Sequence, residues 1–461
     1  MKNVIIILCD AMRYYNLPFY GYKINTAPFL NKIKNKCLVF TNAFSCTNAT
    51  DPSLASIYTG KHPIHIGLVH HGERISPLEY KSINRHIFLQ EIMTRCNYLT
   101  VAIDILSRWH KRGFKYYIDP LMSRKTSPVR WLRKFTRLHD LAIKLAYTLG
   151  KSIEFTKPSA TYITMLAIRL LRYISSGRKN FFLFIHYWDT HMPYKAPGHL
   201  LNNLFNKYKV FYRSKAFKSV DYILSYIRNK RWREYLQRFL ELHNRDLARV
   251  IAAYDSCILY VDTCLRNLFK ELEDLGILDN TLIVITADHG ESLYEHDIFL
   301  DHHGLYDVTV RVPLLFYLED EKGSISTPFQ LIDLFPTIAD MCNLRTTLNL
   351  IRDLDGVPLS RLLELSDNIR PLFFEEAHTE DKIAVRVGDI KYITALNSKH
   401  AICRYCGRIH GGIEELYDLK EDPYEERNLV DERKEVKKLL RNLLLKWFSA
   451  QRSRSLIRLI K

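Results

Sequence analysis

The chain has 461 residues, with 67 Lys or Arg against 50 Asp or Glu, for a formal net charge of +17. Apolar residues make up 47% and charged residues 25%, enough apolar matter for a large packed core, which excludes a disordered chain. The positive excess suits an anionic partner, a phosphate or sulfate ester or an acidic membrane, or simply a basic solvated surface. No nucleic-acid-binding signature accompanies it, so no nucleic acid is expected. No run approaches the ~18 apolar residues of a membrane-spanning helix. The cysteines are scattered and odd in number, 9 in all, so a reducing, cytoplasmic location is expected.

The first apolar run, Val4–Leu8, ends in Asp10 with no small-residue cleavage site. It reads as a buried strand rather than a leader. Thr50-Asp51-Pro52-Ser53 opens a helical run closed by Thr59-Gly60, a start and stop signal for a helix. Further continuous apolar runs follow at Leu99–Ile103, Phe181–Ile185, Leu282–Ile285 and Pro313–Tyr317. They suit strands buried on both faces of a parallel sheet. Helical spacing of Leu132, Phe135, Leu138, Leu141, Leu145 and Leu149 predicts a helix from Ser127 to Gly150, and two more fit Ala160–Ser176 and Asp246–Leu275. Strand alternating with helix gives an α/β fold. Residues 105–157 and 200–245, rich in Lys, Arg and aromatics, read as insertions. Past about residue 345, Leu372–Glu375, Ile383–Val387 and Tyr392–Ala395 read as a small antiparallel sheet, followed by a helix from near Asp431. Domains at 1–345 and 346–461 are therefore expected. In the last helix Leu439, Leu440, Leu443, Leu444, Trp447 and Phe448 form one apolar face for packing. The tail with Arg452, Arg454 and Arg458 offers a peripheral contact with acidic lipid or a second subunit.

Open α/β sheets bind ligands beyond the carboxyl ends of their strands. Here those ends carry Asp10, Arg108-Trp109-His110, Asp189-Thr190-His191 and Asp288-His289-Gly290. Each alone reads as a turn or cap; four together read as a site. Thr50 adds a hydroxyl at a helix start, where free backbone N–H groups favour an anion.

Taken in order, these segments resemble the sulfatase branch of the alkaline phosphatase superfamily over nearly the whole chain. Thr50–Gly60 fits the frame of a Cys or Ser, then x-Pro-x-Arg, then a short helix ending Thr-Gly. Ser107-Arg108-Trp109-His110 is similar to Gly-Lys-Trp-His, and Asp189–Tyr194 to Asp-Pro-His-x-Pro-Tyr. Thr286–Glu291 resembles the metal-binding segment, followed by Arg311-Val312-Pro313-Leu314; Glu415–Leu419, Asp422–Glu425 and Asn428-Leu429 resemble the C-terminal signature. The resemblance implies an alkaline phosphatase-like three-layer sandwich with a mostly parallel sheet and a small C-terminal antiparallel sheet. It implies a metal-dependent ester hydrolase acting on a small anionic ester. Catalytic roles fall to Thr50, Arg108, His110, His191 and His302, the last where the family has a substrate-binding Lys.

Three positions depart from the pattern. Thr50 replaces the Cys or Ser that becomes formylglycine, Leu54 the Arg, and Ala11 a second metal-binding Asp. Threonine is the nucleophile in phosphodiesterase, phosphonate and phosphotransferase branches, so a phosphate or phosphonate ester is expected. A sulfuric ester, phospho-group transfer and a non-catalytic binding protein are the alternatives. A metal held by Asp10, Thr50, Asp288 and His289 mixes oxygen with imidazole nitrogen, which favours zinc or manganese over calcium. A second ion could sit on Asp189, His191 and His303, or His191 and His302 could contact the transferred anion. Finally, His400, Cys403, Cys406 and His410 have the spacing of a structural zinc site or are unliganded.

Overall fold

The computed structural model describes residues 2–121, 157–177, 179–214, 218–319, 321–344, 353–364 and 369–455. The helix expected between Ser127 and Gly150, and Arg458, lie outside them. An eight-stranded sheet runs in the order β5-β4-β6-β1-β7-β8-β2-β9. Its strands are β1 (Asn3–Cys9), β2 (Cys37–Phe40), β4 (Leu99–Ile103), β5 (Tyr116–Ile118), β6 (Phe181–Tyr187), β7 (Thr281–Thr286), β8 (Leu314–Tyr317) and β9 (Gly323–Ile325); Ala43–Phe44, as β3, pairs with β10 (Phe329–Gln330). β1 lies at the centre, every residue buried, with Val4 beside Phe182 of β6 on one side and Leu282 of β7 on the other, both parallel. β4 and β5 extend the parallel set.

The run at Leu314–Tyr317, expected to be parallel, is antiparallel to both β7 and β2. Between β7 and β8 the only helices are single turns, Glu295–Asp297 and Asp307–Val310. A parallel return needs a full crossover. Tyr116–Ile118, expected within an insertion, is an edge strand instead. Helices cover both faces: α2 (Ala160–Ile174) packs on α3 (Leu247–Asp274), and α1 (Thr50–Thr59) packs with the segments at Leu331–Met341 and Leu89–Arg95. The described residues between 198 and 242 include four helices, beginning at Gly198, Lys209, Val220 and Lys230.

A second, antiparallel sheet of β11 (Leu372–Glu376), β12 (Lys382–Val387), β13 (Ile390–Ala395) and β14 (Glu414–Asp418) follows. Its strands alternate, as the two-residue period requires. Phe374, Ala384, Ile393 and Tyr417 face Phe44, Tyr306 and Val310 of the larger part. Ile383, Val385, Tyr392 and Leu416 face α4 (Lys434–Arg454) through Leu440 and Leu444. Leu439, expected on that face, is 69% exposed, while Trp447 stacks on Phe373 at 4.5 Å. Arg454 is ion-paired with Asp353 and with Asp355, so the protein already neutralises one of the cations expected to meet lipid. No helix among the described residues is long and apolar enough to cross a membrane. No disulfide joins any of the nine cysteines.

Candidate active site

Four neighbouring parallel strands deliver their carboxyl ends to one edge of the sheet. β1 ends beside Asp10, β7 beside Asp288 and His289, β6 leads to Asp189 and His191, and β4 to Arg108 and His110. Thr50 is the first residue of α1, whose ten residues are all buried; Ala49 before it is extended and supplies no side-chain cap. Gly60 closes the helix at φ 66°, with Leu354 and the Ile332 carbonyl so close to the position of a Cβ that a side chain would be strained there.

Ligand atoms of Asp10, Asp288 and His289 lie within 4.8 Å of one another, all buried. Both Asp10 oxygens and Oδ2 of Asp288 lack a hydrogen-bond partner. Burial alone would raise Asp10, but His191, His186 and His289 hold it below the usual carboxylate range. Burial and the Asp10 charge push Asp288 up to about 7. Two dry carboxylates facing each other without Lys or Arg call for a cation, so this donor set fits a divalent metal. His289 Nδ1 lies 2.8 Å from the Gly290 carbonyl, so it carries the hydrogen and leaves the Nε2 lone pair directed into the site. Nε2 is 3.3 Å from Thr50 Oγ1. Ala11, in the place of a second metal-binding Asp, takes φ 56° and donates its N–H to Asp288 Oδ1 at 3.2 Å.

His302 and His191 face each other across the site with ring centroids 5.7 Å apart. His302 Nδ1 is 2.5 Å from the Asn48 carbonyl, so its hydrogen is there and Nε2 is an acceptor. His191 Nδ1 lies 2.8 Å from Lys157 Nζ and 2.7 Å from the Met192 carbonyl, which also accepts from Lys157 at 2.7 Å. Burial and Lys157 push His191 down to about 3; burial and the His289 ring push His302 down to about 4. Both are neutral near pH 7. His302 stacks between His289 and His378 at 4.2 and 4.8 Å.

Arg108 departs from expectation. Its guanidinium grips the buried Asp51 carboxylate at 2.6 and 2.8 Å and also donates to the Gly72 carbonyl. Asp51 further meets His71 at 2.7 Å and His110 at 3.4 Å. Burial would raise Asp51, but His71, His110 and Arg108 hold it low. The fork expected on substrate oxygens thus braces the residue next to Thr50. His110 is buried against Trp109, ring to ring at 3.7 Å, and burial pushes it down to about 4.

The second metal set, Asp189, His191 and His303, is not assembled. Asp189 caps α2 by accepting from the Ala160 N–H at 3.1 Å. His303 turns away toward Cys403. His400 lies at the surface, 40% exposed beside Asp381, apart from Cys403, Cys406 and His410.

Several residues at the site escaped the sequence reading. His186, inside an apolar strand, bridges Asp10 at 3.5 Å and Asp104 at 2.9 Å. Burial alone would lower it, but those two carboxylates raise it to about 10. The signal was an imidazole in a run otherwise apolar or aromatic. Lys157, His71 and His378 carried no spacing signal.

A family model described as Sulfatase matches residues 2–344. The chain belongs to the sulfatase family. Such proteins hydrolyse sulfate or phosphate esters, and this chain is an ester hydrolase of that family. An ulvan-active sulfatase from Formosa agariphila is 24% identical over 439 residues, covering 93% of this chain and 77% of the relative. Among solved structures, one in complex with its substrate D-glucosamine-2-N,6-O-disulfate superposes with a TM-score of 0.71 at 18% identity, covering 98% of each chain. The phosphonate monoester hydrolase of Agrobacterium radiobacter superposes with a TM-score of 0.67 at 20% identity, covering 98% of this chain and 96% of the other. These likenesses establish the fold.

Proposed function

We propose that the protein is a metal-dependent hydrolase of a phosphate or phosphonate ester that works through a covalent intermediate on Thr50, within a catalytic part spanning residues 1–345 and a C-terminal part spanning 346–461. The observation that carries this reading is Thr50 Oγ1 standing at a helix start, 3.3 Å from His289 Nε2 and beside unpartnered carboxylates. Asp10, Asp288 and His289 would hold the ion, and their mixed donors favour zinc or manganese. When bound, a divalent ion supplies Lewis acidity, which polarises the ester and eases ionisation of a hydroxyl.

Thr50 Oγ1 bonds to phosphorus as the bond from phosphorus to the ester oxygen breaks. His302 Nε2, bearing the lone pair, would take the Thr50 hydroxyl proton and return it to the departing alcohol. The His191 and His110 rings would hydrogen-bond oxygens of the transferred group as charge builds there. Arg108 acts one step removed, through Asp51, by fixing the start of α1. Water then cleaves the Thr50 ester.

A sulfuric ester is the second reading, favoured by the ulvan-active sulfatase that covers 93% of this chain. A panel of aryl phosphate mono- and diesters, phosphonates and sulfates, assayed with zinc, manganese and calcium, separates the two. Turnover of sulfates alone overturns the first reading, and a product formed on added alcohol turns hydrolysis into transfer. Thr50→Ala should lose about a thousandfold or more in rate, with a melting temperature close to that of the parent; near-normal turnover overturns the covalent mechanism.

A further inference from the structure

Residues 401–410 form a small hairpin outside the proposed active site. Ile402 bridges Ile409, the Cys403 N–H donates to the Arg408 carbonyl at 2.7 Å, and the Gly407 N–H to the Cys403 carbonyl at 2.8 Å. Gly407, at φ 73°, makes the turn. The hairpin brings Cys403 and Cys406 to one tip, with His410 following. Against that tip lies His303, from the loop after β7. All four side chains are buried, none more than 6% exposed.

We propose that His303, Cys403, Cys406 and His410 hold a structural zinc ion. Ligand atoms of His303, Cys403 and His410 lie within 4.8 Å of one another. Cys406 Sγ is 3.2 Å from His410 Nε2, and Cys403 Sγ is 3.9 Å from His303 Nε2. Zn–S and Zn–N bonds in a tetrahedron place sulfur and nitrogen about 3.6 Å apart, between those two values. The outer nitrogen of His410 is occupied in the manner of a zinc ligand, and that of His303 faces a carboxylate. His410 Nδ1 lies 3.1 Å from the His296 carbonyl, and His303 Nδ1 lies 3.4 Å from the Asp301 carboxylate. The carbonyl fixes the hydrogen of His410 on Nδ1 and turns its Nε2 toward the thiols, while the Asp301 carboxylate lies on the outer side of His303. Two thiolates with two imidazoles in a closed, tetrahedral set select zinc over the harder divalent ions. Four protein ligands leave no open position, so the ion is structural.

The consequence is mechanical. His303 follows His302 directly, so an ion on His303 ties the hairpin of the C-terminal sheet to the loop that aims His302 at the active site.

Zinc analysis of the protein purified from zinc-supplemented medium tests this, followed by titration with a mercurial in the presence of a chromogenic zinc chelator. One zinc should be released as Cys403 and Cys406 react. Cobalt exchanged into the native protein should show thiolate-to-cobalt charge-transfer absorption with tetrahedral visible bands. Cys406→Ser should lose that zinc, whereas His400→Ala and Asp288→Asn should keep it. Absence of a thiol-releasable zinc, a cobalt spectrum without thiolate bands, or zinc retained in full by Cys406→Ser would each overturn the assignment. The cobalt spectrum needs no variant, so a folding failure in Cys406→Ser does not shelter the proposal.

Discussion

The two sheets handle buried charge in opposite ways. At the carboxyl ends of the large sheet, Asp10 and Asp288 face each other with the neutral His289 ring 3.8 and 3.4 Å away, and among the described residues the one cation near them is His186, 3.5 Å from Asp10. On the inner face of the small sheet Asp307, Glu380, Glu415 and Glu425 each sit on a cation, while Glu376 is held by the Gly304 N–H and the Thr379 hydroxyl. Lys391 lies 2.9 Å from Asp307 and 2.8 Å from Glu425, Arg386 lies 2.9 Å from Asp307, and Lys382 lies 3.0 Å from both Glu380 and Glu415. Unmatched charge has a cost and persists where a ligand will match it. Matched charge fixes how two surfaces meet. The first pattern marks chemistry and the second marks docking of the small sheet onto the large.

The sharpest way to break the contrast is to remove a cation from the matched set. Lys391→Met leaves Asp307 and Glu425 buried together, Glu425 already pushed up to about 7 by burial. It should cost about 3–5 kcal/mol in urea denaturation; a loss below about 1 kcal/mol would show that water reaches this face. Arg108→Ala tests the ground between the two patterns, since Asp51 is fully matched yet adjoins Thr50. His71 and His110 remain to share the carboxylate, so the expected loss is about 1–3 kcal/mol, read as a lower melting temperature, with bound metal unchanged. A large kinetic loss at unchanged melting temperature would instead put the guanidinium on the substrate. A third test is a pH slope. Burial pushes His62 and His86 down to about 4. The unfolded chain takes up protons near pH 6.5 and the folded one only near 4. Stability is therefore full above about pH 6.5 and falls as pH drops toward 4, by at most about 1.4 kcal/mol per unit for each group. Melting curves of metal-free protein at pH 7 and 4.5 should show the fall, and His86→Gln, which preserves a donor to the Ile66 carbonyl, should lessen it.

Much of this was legible beforehand, for identifiable reasons. β1, β4, β6 and β7 are buried on both faces, so each reads as an unbroken apolar run. Asp10, Thr50, Asp288 and His289 follow strand ends or open a helix, places where sequence position and spatial position coincide. The direction of β8 did not show, because its residues look the same in either sense; only the lack of a crossover helix decides it. The partners of long-range groups did not show either. Asp51 read as a helix-start residue although it holds Arg108, and the cysteine pair was read with His400, while the fold sets His303, 100 residues earlier, 3.9 Å from Cys403 Sγ.

The central place of β1 has a kinetic consequence. Asn3–Cys9 must pair on both edges, yet its neighbours begin only at Phe181 and Thr281. During synthesis, at about 5–20 residues per second, this segment waits roughly ten seconds or more for its first partner and longer for its second. It is aliphatic, uncharged and rich in β-branched residues, the kind of segment that pairs with copies of itself when left open. Holdase capture of nascent chains should therefore concentrate on the span before β7 emerges, and slow refolding from denaturant with concentration-dependent loss follows from the same topology.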